Sequence, residues 1–175
     1  MVLTIDIGNT TIGIGGFQGN KLLFIEKISS RRPLSDAGYI EKLNMILNKH
    51  GLSAEAFEGS MISSVVPSVT AVFSSALETF LGRKPLILSH KLDLGYEICT
   101  EFPEKVGCDR LADIAGAISR YSLPFVTIDL GTATTFNVLD ENRRFLGGLI
   151  LPGVGTAHRA LLGKTAQLPK GDIHM

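Results

Sequence analysis

Phe125-Val126-Thr127-Ile128-Asp129-Leu130-Gly131-Thr132-Ala133-Thr134 restates Leu3-Thr4-Ile5-Asp6-Ile7-Gly8-Asn9-Thr10-Thr11 at an offset of 123 residues. Under that offset Thr127 falls on Thr4, Ile128 on Ile5, Asp129 on Asp6, Gly131 on Gly8 and Thr134 on Thr11. The polar turns Gln18-Gly19-Asn20-Lys21 and Glu141-Asn142-Arg143-Arg144 also coincide, and each is followed by an apolar run. An internal repeat outranks local propensity as a guide to architecture. It predicts two similar halves, each opening strand, Asp-x-Gly, strand, with a cleft between them.

Outward from the first copy, Val2–Ile5, Thr11–Phe17 and Leu22–Ile28 read as three strands, able to form an antiparallel meander. Ser35 or Asp36 caps a helix with Tyr39, Leu43, Ile46 and Leu47 on its apolar face, and Gly51 stops it. Met61–Val66 is a buried strand. Pro67 opens a second helix lined by Val69, Val72, Phe73, Ala76, Leu77 and Phe80 and ended by Gly82. Pro85–Leu88 is a further strand and Lys91–Phe102 is extended. A third helix from Asp109 carries Leu111, Ile114, Ala115 and Ile118 on one stripe. Strands separated by helices give an α/β class. Domain boundaries are expected at 1–120 for a first half and 121–175 for a partial second half, with a meander over Phe125–Ile150 and a helix from about Thr156 to Thr165.

Composition narrows the function. A hydrophobic content of 45% argues against disorder, and 17 basic against 17 acidic residues leave no basic excess for nucleic acid or an anionic membrane. Asp6 interrupts the N-terminal apolar run, which has no basic flank, so no signal peptide is expected, and no run reaches the ~20 residues of a membrane span. Cys99 and Cys108 with four histidines make no metal-ligand spacing and read as reduced thiols.

The chemistry sits in the repeat. A strand delivers Asp6 to its C-terminal end, where α/β sheets place ligands. Gly8 allows close backbone approach, and turn N–H groups with Asn9, Thr10 and Thr11 can donate to phosphate oxygens. A carboxylate beside phosphate needs a cation between, which favours Mg²⁺ with water in its shell. The plainer alternative is a tight turn with an Asx hydrogen bond. Two copies favour phosphate handling, while a G-x-x-x-x-G-K-[ST] loop is absent and no G-x-G-x-x-G follows a strand. Glu104-Lys105-Val106-Gly107-Cys108-Asp109-Arg110 opens the third helix. Asp109 reads either as its cap or as a general base on a substrate hydroxyl. Arg110 reads as a surface ion-pair partner or a bidentate clamp on a carboxylate.

Asp6-Ile7-Gly8-Asn9-Thr10, Ser64-Val65-Val66-Pro67, Gly107-Cys108-Asp109-Arg110, Asp129-Leu130-Gly131-Thr132-Ala133-Thr134 and Gly147-Gly148-x-Ile150-x-Pro152-Gly153 occur in this order. Together they resemble type III pantothenate kinases throughout the chain. The resemblance implies a ribonuclease H-like, actin-like ATPase fold built from duplicated β-β-β-α-β-α halves. It implies ATP-dependent phosphorylation of pantothenate, the first step towards coenzyme A, in a cytoplasmic homodimer that uses Mg²⁺ and a monovalent cation, K⁺ or NH₄⁺. It places Asp6, Ile7, Gly8, Asn9, Thr10, Thr11, Ile12 and Gly13 around the ATP phosphates, with Asp6 organising Mg²⁺ through water, and Thr132 on ATP. Asp109 is implied as the base. Tyr96, Gly107, Cys108, Asp109 and Arg110 are implied to contact pantothenate, Arg110 at its carboxylate, and Asp129 to hold the monovalent cation. Cys108 stands where the family usually has Ala. The family pattern continues past Met175, so the expectation is a partial second half, an uncovered apolar face, self-association and negligible turnover by the 175 residues alone. Two other readings are another phosphotransferase or phosphohydrolase of the same superfamily, and a truncated non-catalytic relative with a binding or regulatory role. The Gly107–Arg110 segment favours the pantothenate reading over the other enzyme, and neutral charge with no helix-turn-helix signal speaks against direct DNA contact by a regulatory relative.

Overall fold

The computed structural model describes residues 1–164; the expectations for Thr165 and for the Leu168–Met175 end lie outside the described residues. The chain divides into two compact units. One holds Met1–Leu92 and Val106–Ala112, and the other holds Asp93–Lys105 and the chain from Asp113 on.

The first unit follows its hydrophobic pattern closely. Strands β1 (Val2–Ile7), β2 (Thr11–Gln18) and β3 (Lys21–Ser29) form the meander. Helix α1 (Asp36–Lys49), β4 (Gly59–Ser64), helix α2 (Pro67–Leu81) and the short β5 (Leu86–Ile87) follow. The sheet order is β3-β2-β1-β4-β5, antiparallel across the meander and parallel from β1 through β4 to β5. Alternation along β1 sends Leu3, Ile5 and Ile7 to one face, where all three are buried with Ile12, Ile14 and Ile62. Tyr39, Leu43 and Leu47 of α1 and Val69, Phe73, Ala76 and Leu77 of α2 complete that core, with the Tyr39 and Phe73 rings 4.4 Å apart. Fully burying a side chain of this size contributes about 1.5–3 kcal/mol. The Ser35 hydroxyl accepts from the Gly38 N–H at 3.3 Å and so caps α1. Gly82 ends α2 in the left-handed conformation.

The second unit repeats the meander as β7 (Phe125–Leu130), β8 (Ala133–Leu139) and β9 (Arg144–Pro152), followed by helix α4 (Val154–Lys164). A two-residue strand, β6 (Glu97–Ile98), lies parallel to β9 and gives the order β6-β9-β8-β7. The Lys91–Phe102 stretch therefore supplies a strand to the second sheet, a pairing across more than 45 residues that no local pattern encodes. Helix α3 (Cys108–Ile118) starts one residue earlier than expected. Its buried residues are Leu111, Ile114 and Ala117, so Ala117 fills the stripe that periodicity assigned to Ala115 and Ile118.

Pairing also corrects the alignment of the repeat. Ile7 pairs with Ile12, whereas its counterpart Leu130 pairs with Thr134. Thr134 is therefore equivalent to Ile12, not to Thr11, because the second turn is one residue shorter. The two sheets differ more in burial. Leu3, Ile5 and Ile7 are at most 1% exposed, but their counterparts Val126, Ile128 and Leu130 are 54%, 57% and 72% exposed. Among the described residues no strand pairs with β7 on its outer side. Ala117, Tyr121 and Phe125–Ile128 line an open groove there. Among the described residues this β7 edge and its apolar face stay exposed.

Candidate functional site

In the first unit, β1 ends by presenting Asp6 on the face opposite the core, where it is exposed. The turn that follows is closed by the Gly8 N–H donating to the Thr11 carbonyl at 2.9 Å. The Thr10 carbonyl accepts from the Ser30 N–H at 3.1 Å. Ile7 and Ile12 point into the core at 0% exposure, so only their backbone can meet a ligand. Asn9 and Thr11 are exposed and Thr10 is half-buried. On the other flank, the Val65 N–H donates to the Ile7 carbonyl at 3.1 Å, which ties the loop after β4 to the end of β1.

Ser64-Val65-Val66-Pro67 is a scaffold for that tie. The Ser64 hydroxyl accepts from the Val66 N–H at 3.0 Å and from the Thr70 hydroxyl at 2.6 Å, locking the strand-to-helix corner. Pro67 then starts α2 at a position where a missing N–H costs nothing.

The start of α3 belongs to the same unit. The Cys108 thiol donates to the Leu88 carbonyl at 3.1 Å, beside the strand end where the Leu88 N–H donates to Ile62. The Leu111 N–H donates to the Gly107 carbonyl at 3.2 Å, so Gly107, not Asp109, is the cap residue of α3. Asp109 stands one residue inside the helix, half-buried. Its Oδ1 accepts from the Arg110 N–H at 2.8 Å. A Cβ at Gly107 would collide with that Oδ1 and lie 3.5 Å from Asp109 Cγ and 3.8 Å from Val65 Cγ1. The glycine is therefore what lets the carboxylate fold back over the helix start. There the helix dipole favours an anion. Val65 thus joins the loop after Asp6 to the Gly107–Arg110 segment, and pattern reading gave it no role.

In the second unit, β7 ends at the exposed Asp129, and the Gly131 N–H donates to the Ala133 carbonyl at 2.9 Å. The Thr132 carbonyl accepts from the Gly153 N–H at 3.0 Å and from the Thr156 hydroxyl at 2.9 Å. A Cβ at Gly153 would overlap the Gly131 carbonyl oxygen and lie 2.7 Å from that of Thr132. The Gly-rich run ending at Gly153 therefore packs backbone against backbone and fixes the Asp129–Thr132 turn. Asn137, fully buried, donates to the Thr127 hydroxyl at 3.0 Å. Tyr96 is half-buried, and burial pushes its phenol well above its ordinary value, so it stays protonated.

Asp6, Gly8–Gly13 and Gly107–Arg110 thus share the first unit, while Tyr96, Asp129 and Thr132 lie in the second. Among the described residues no three His, Cys, Asp or Glu side chains gather as a metal centre. Each repeat aspartate is a single carboxylate. A divalent ion on Asp6 would therefore draw its other oxygens from water and phosphate, which suits Mg²⁺ and its preference for retained water. Six buried hydroxyls among the described residues have no hydrogen-bond partner, those of Ser30, Tyr39, Ser60, Ser63, Thr100 and Thr135, and two of them, Ser63 on β4 and Thr135 on β8, lie beside the repeat aspartates. Each is the strand-register partner of a repeat aspartate, Ser63 of Asp6 and Thr135 of Asp129. Those hard-oxygen surroundings suit a hard cation at either aspartate and do not distinguish a divalent ion from a monovalent one.

A family model described as type III pantothenate kinase matches residues 2–175. Relatives named type III pantothenate kinase include one from Bifidobacterium animalis subsp. lactis, 40% identical over 99% of this chain and 69% of its own length. Others are from Finegoldia magna, 36% identical over 100% and 67%, and Dictyoglomus turgidum, 37% identical over 99% and 68%. The chain spans about two thirds of the length of these relatives. Among solved structures, a Campylobacter jejuni protein named for the Baf family of transcriptional activators superposes with a TM-score of 0.54 at 16% identity, covering 99% of this chain and 68% of that one. A Porphyromonas gingivalis protein bearing the name of an N-acetylglucosamine kinase superposes at 0.53 with 18% identity, covering 98% and 59%. At these identities the two structures bear on the fold alone, which is that of the actin-like ATPases.

Proposed function

Because this chain belongs to the type III pantothenate kinase family, we propose that it phosphorylates pantothenate with ATP and that its residues divide the work as follows. Asp109 acts as the general base. It accepts the proton of the pantothenate primary hydroxyl as that oxygen bonds to the γ-phosphorus and the bond to ADP breaks. The products are ADP and 4'-phosphopantothenate, and the proton rests on Asp109 until solvent takes it. Arg110, next in the chain, holds the pantothenate carboxylate through its planar fork. Gly107 keeps Asp109 in place, Cys108 anchors the helix start through Leu88, and Tyr96 donates its phenolic hydrogen to pantothenate.

The Asp6–Gly13 turn supplies backbone and hydroxyl donors to the ATP phosphates, and Thr132 contacts ATP from the second unit. Mg²⁺ on Asp6 and K⁺ or NH₄⁺ on Asp129, when bound, screen the phosphates from the two carboxylates. Asp6 orients that shell through water, and Asp129 holds its cation directly. The same reading takes the protein as a cytoplasmic homodimer. In keeping with it, no helix among the described residues is long and apolar enough to cross a membrane.

The observation that carries the assignment of the base is the cradle at Gly107. Gly107 holds the cap position, and its missing Cβ leaves the Asp109 carboxylate room over the helix start. The test is Asp109→Asn in the full-length gene product. Loss of a general base typically costs 10²–10⁴-fold, so kcat falls by about that much while ATP affinity is kept. Turnover within a few-fold of wild type would make Asp109 a structural residue.

A further inference from the structure

We propose that the Ser63 hydroxyl is a positioning group for Asp6, and that Thr135 plays the same part for Asp129. The inference rests on the reading of Asp6 and Asp129 as the cation-organising carboxylates. Ser63 sits on β4 directly across from Asp6 in a parallel register, so the two side chains stand on the same sheet face one strand spacing apart. Ser63 is 8% exposed while Asp6 reaches solvent, so the hydroxyl is the more buried of the two neighbours. Its oxygen has no hydrogen-bond partner. On the other side of Asp6 the register partner is Gly13, where a Cβ would lie 3.8 Å from Asp6 Cβ. Of the two register partners of Asp6, only Ser63 therefore carries a side-chain donor.

A buried hydroxyl without a partner is destabilising, and native structures keep few of them. An alanine at position 63 would avoid the cost and pack as well. The retained hydroxyl makes sense as a donor held ready for a carboxylate that settles once a hydrated cation and phosphates pull on its outer oxygen. Partners of this kind fix the orientation of a liganding carboxylate and tune its affinity.

The second unit repeats the arrangement by different means. Thr135 is the antiparallel register partner of Asp129, is 6% exposed, and its hydroxyl also has no partner. It occupies the strand that corresponds to Gly13, not to Ser63. The duplicated carboxylates thus each kept a buried hydroxyl on a neighbouring strand, though not on the same neighbour.

The test separates the hydroxyl from the fold. ADP binding is measured by calorimetry in Mg²⁺ and in EDTA, for the wild type, Ser63→Ala and Ser63→Thr, with melting temperatures of the unliganded proteins. Ser63→Ala is expected to lose about tenfold of the Mg²⁺-dependent gain in ADP affinity, the lower end for such partners. Its affinity in EDTA is kept, and its melting temperature is unchanged or raised. Ser63→Thr restores the gain. If Ser63→Ala melts lower, Ser63→Cys, which keeps the volume but donates weakly, takes its place with the same expectation. Thr135→Val is expected to abolish any preference for K⁺ over Na⁺ in ADP binding without lowering the melting temperature. A full Mg²⁺-dependent gain in Ser63→Ala, or a loss that Ser63→Thr does not restore, overturns the inference and leaves the role of Asp6 standing. A wild-type protein whose ADP affinity ignores Mg²⁺ removes the reading of Asp6 itself, and the inference with it.

Discussion

Replacing Gly107 by alanine adds one methyl group and tests the site through its geometry. The new Cβ would collide with Asp109 Oδ1, while Asp109 Cγ at 3.5 Å and Val65 Cγ1 at 3.8 Å are ordinary contacts. The backbone at Gly107 is not in the left-handed region, so alanine adopts it without strain. Only the Asp109 carboxylate has to move. Pushing a side chain about 30° off its rotamer costs about 0.5–1.5 kcal/mol. Replacing glycine where the backbone permits returns about 0.4–1 kcal/mol through the unfolded state. The two nearly cancel, and 1 kcal/mol moves the melting temperature of a chain this size by about 2–4 °C. Stability should therefore barely change. Catalysis should not be spared, since misplacing a reacting group by about 1 Å can cost 10²-fold. The expected result is a kcat lowered about 10²-fold and bounded by Asp109→Asn, with a melting curve within a few degrees of wild type. A Gly107→Ala protein as active as wild type would refute the claim that Asp109 works from this position.

Two further outcomes follow from the units taken singly. Ile5→Ala should cost about 2–5 kcal/mol in urea unfolding, because Ile5 is buried, whereas the equivalent Ile128→Ala should fall within about 0.5 kcal/mol of wild type. Equal losses would mean that the β7 face is covered in solution. At the β8–β9 turn, burial pushes the Asp140 carboxyl up. Hydrogen bonds from the Arg144 N–H and guanidinium and from the Asn142 N–H outweigh burial and hold it below its ordinary value. A lowered folded value stabilises above the unfolded pKa and is lost as pH falls through the folded one. Acid unfolding should therefore include a component below about pH 4 that Asp140→Asn removes. An unchanged acid profile in that variant would assign the turn's stability elsewhere.

The repeat, the meander and both helices of the first unit are legible because strands with one buried face alternate and α1 and α2 keep a single apolar stripe. The register after Gly131 is not. Thr132 and Thr134 both resemble the Thr10-Thr11 pair, and only the pairing of Leu130 with Thr134 exposes the missing turn residue. The β6 strand escaped notice because two residues carry no period and its partner lies far along the chain. Asp109 reads from sequence as either a cap or a general base, because acidic residues at helix starts serve both roles. The Leu111 bond to Gly107 puts the cap position at Gly107, and no sequence pattern records it. Ser63 and Thr135 look like ordinary strand residues, and their lack of partners is a property of three-dimensional packing.

The central claim is that pantothenate is the phosphoryl acceptor. Its direct test is ADP release by the purified full-length gene product with ATP, Mg²⁺ and K⁺, in the presence and absence of pantothenate. The account predicts ADP formed one-for-one with 4'-phosphopantothenate and almost none without pantothenate. ADP release at the same rate without pantothenate, or with a sugar acceptor alone, would contradict it.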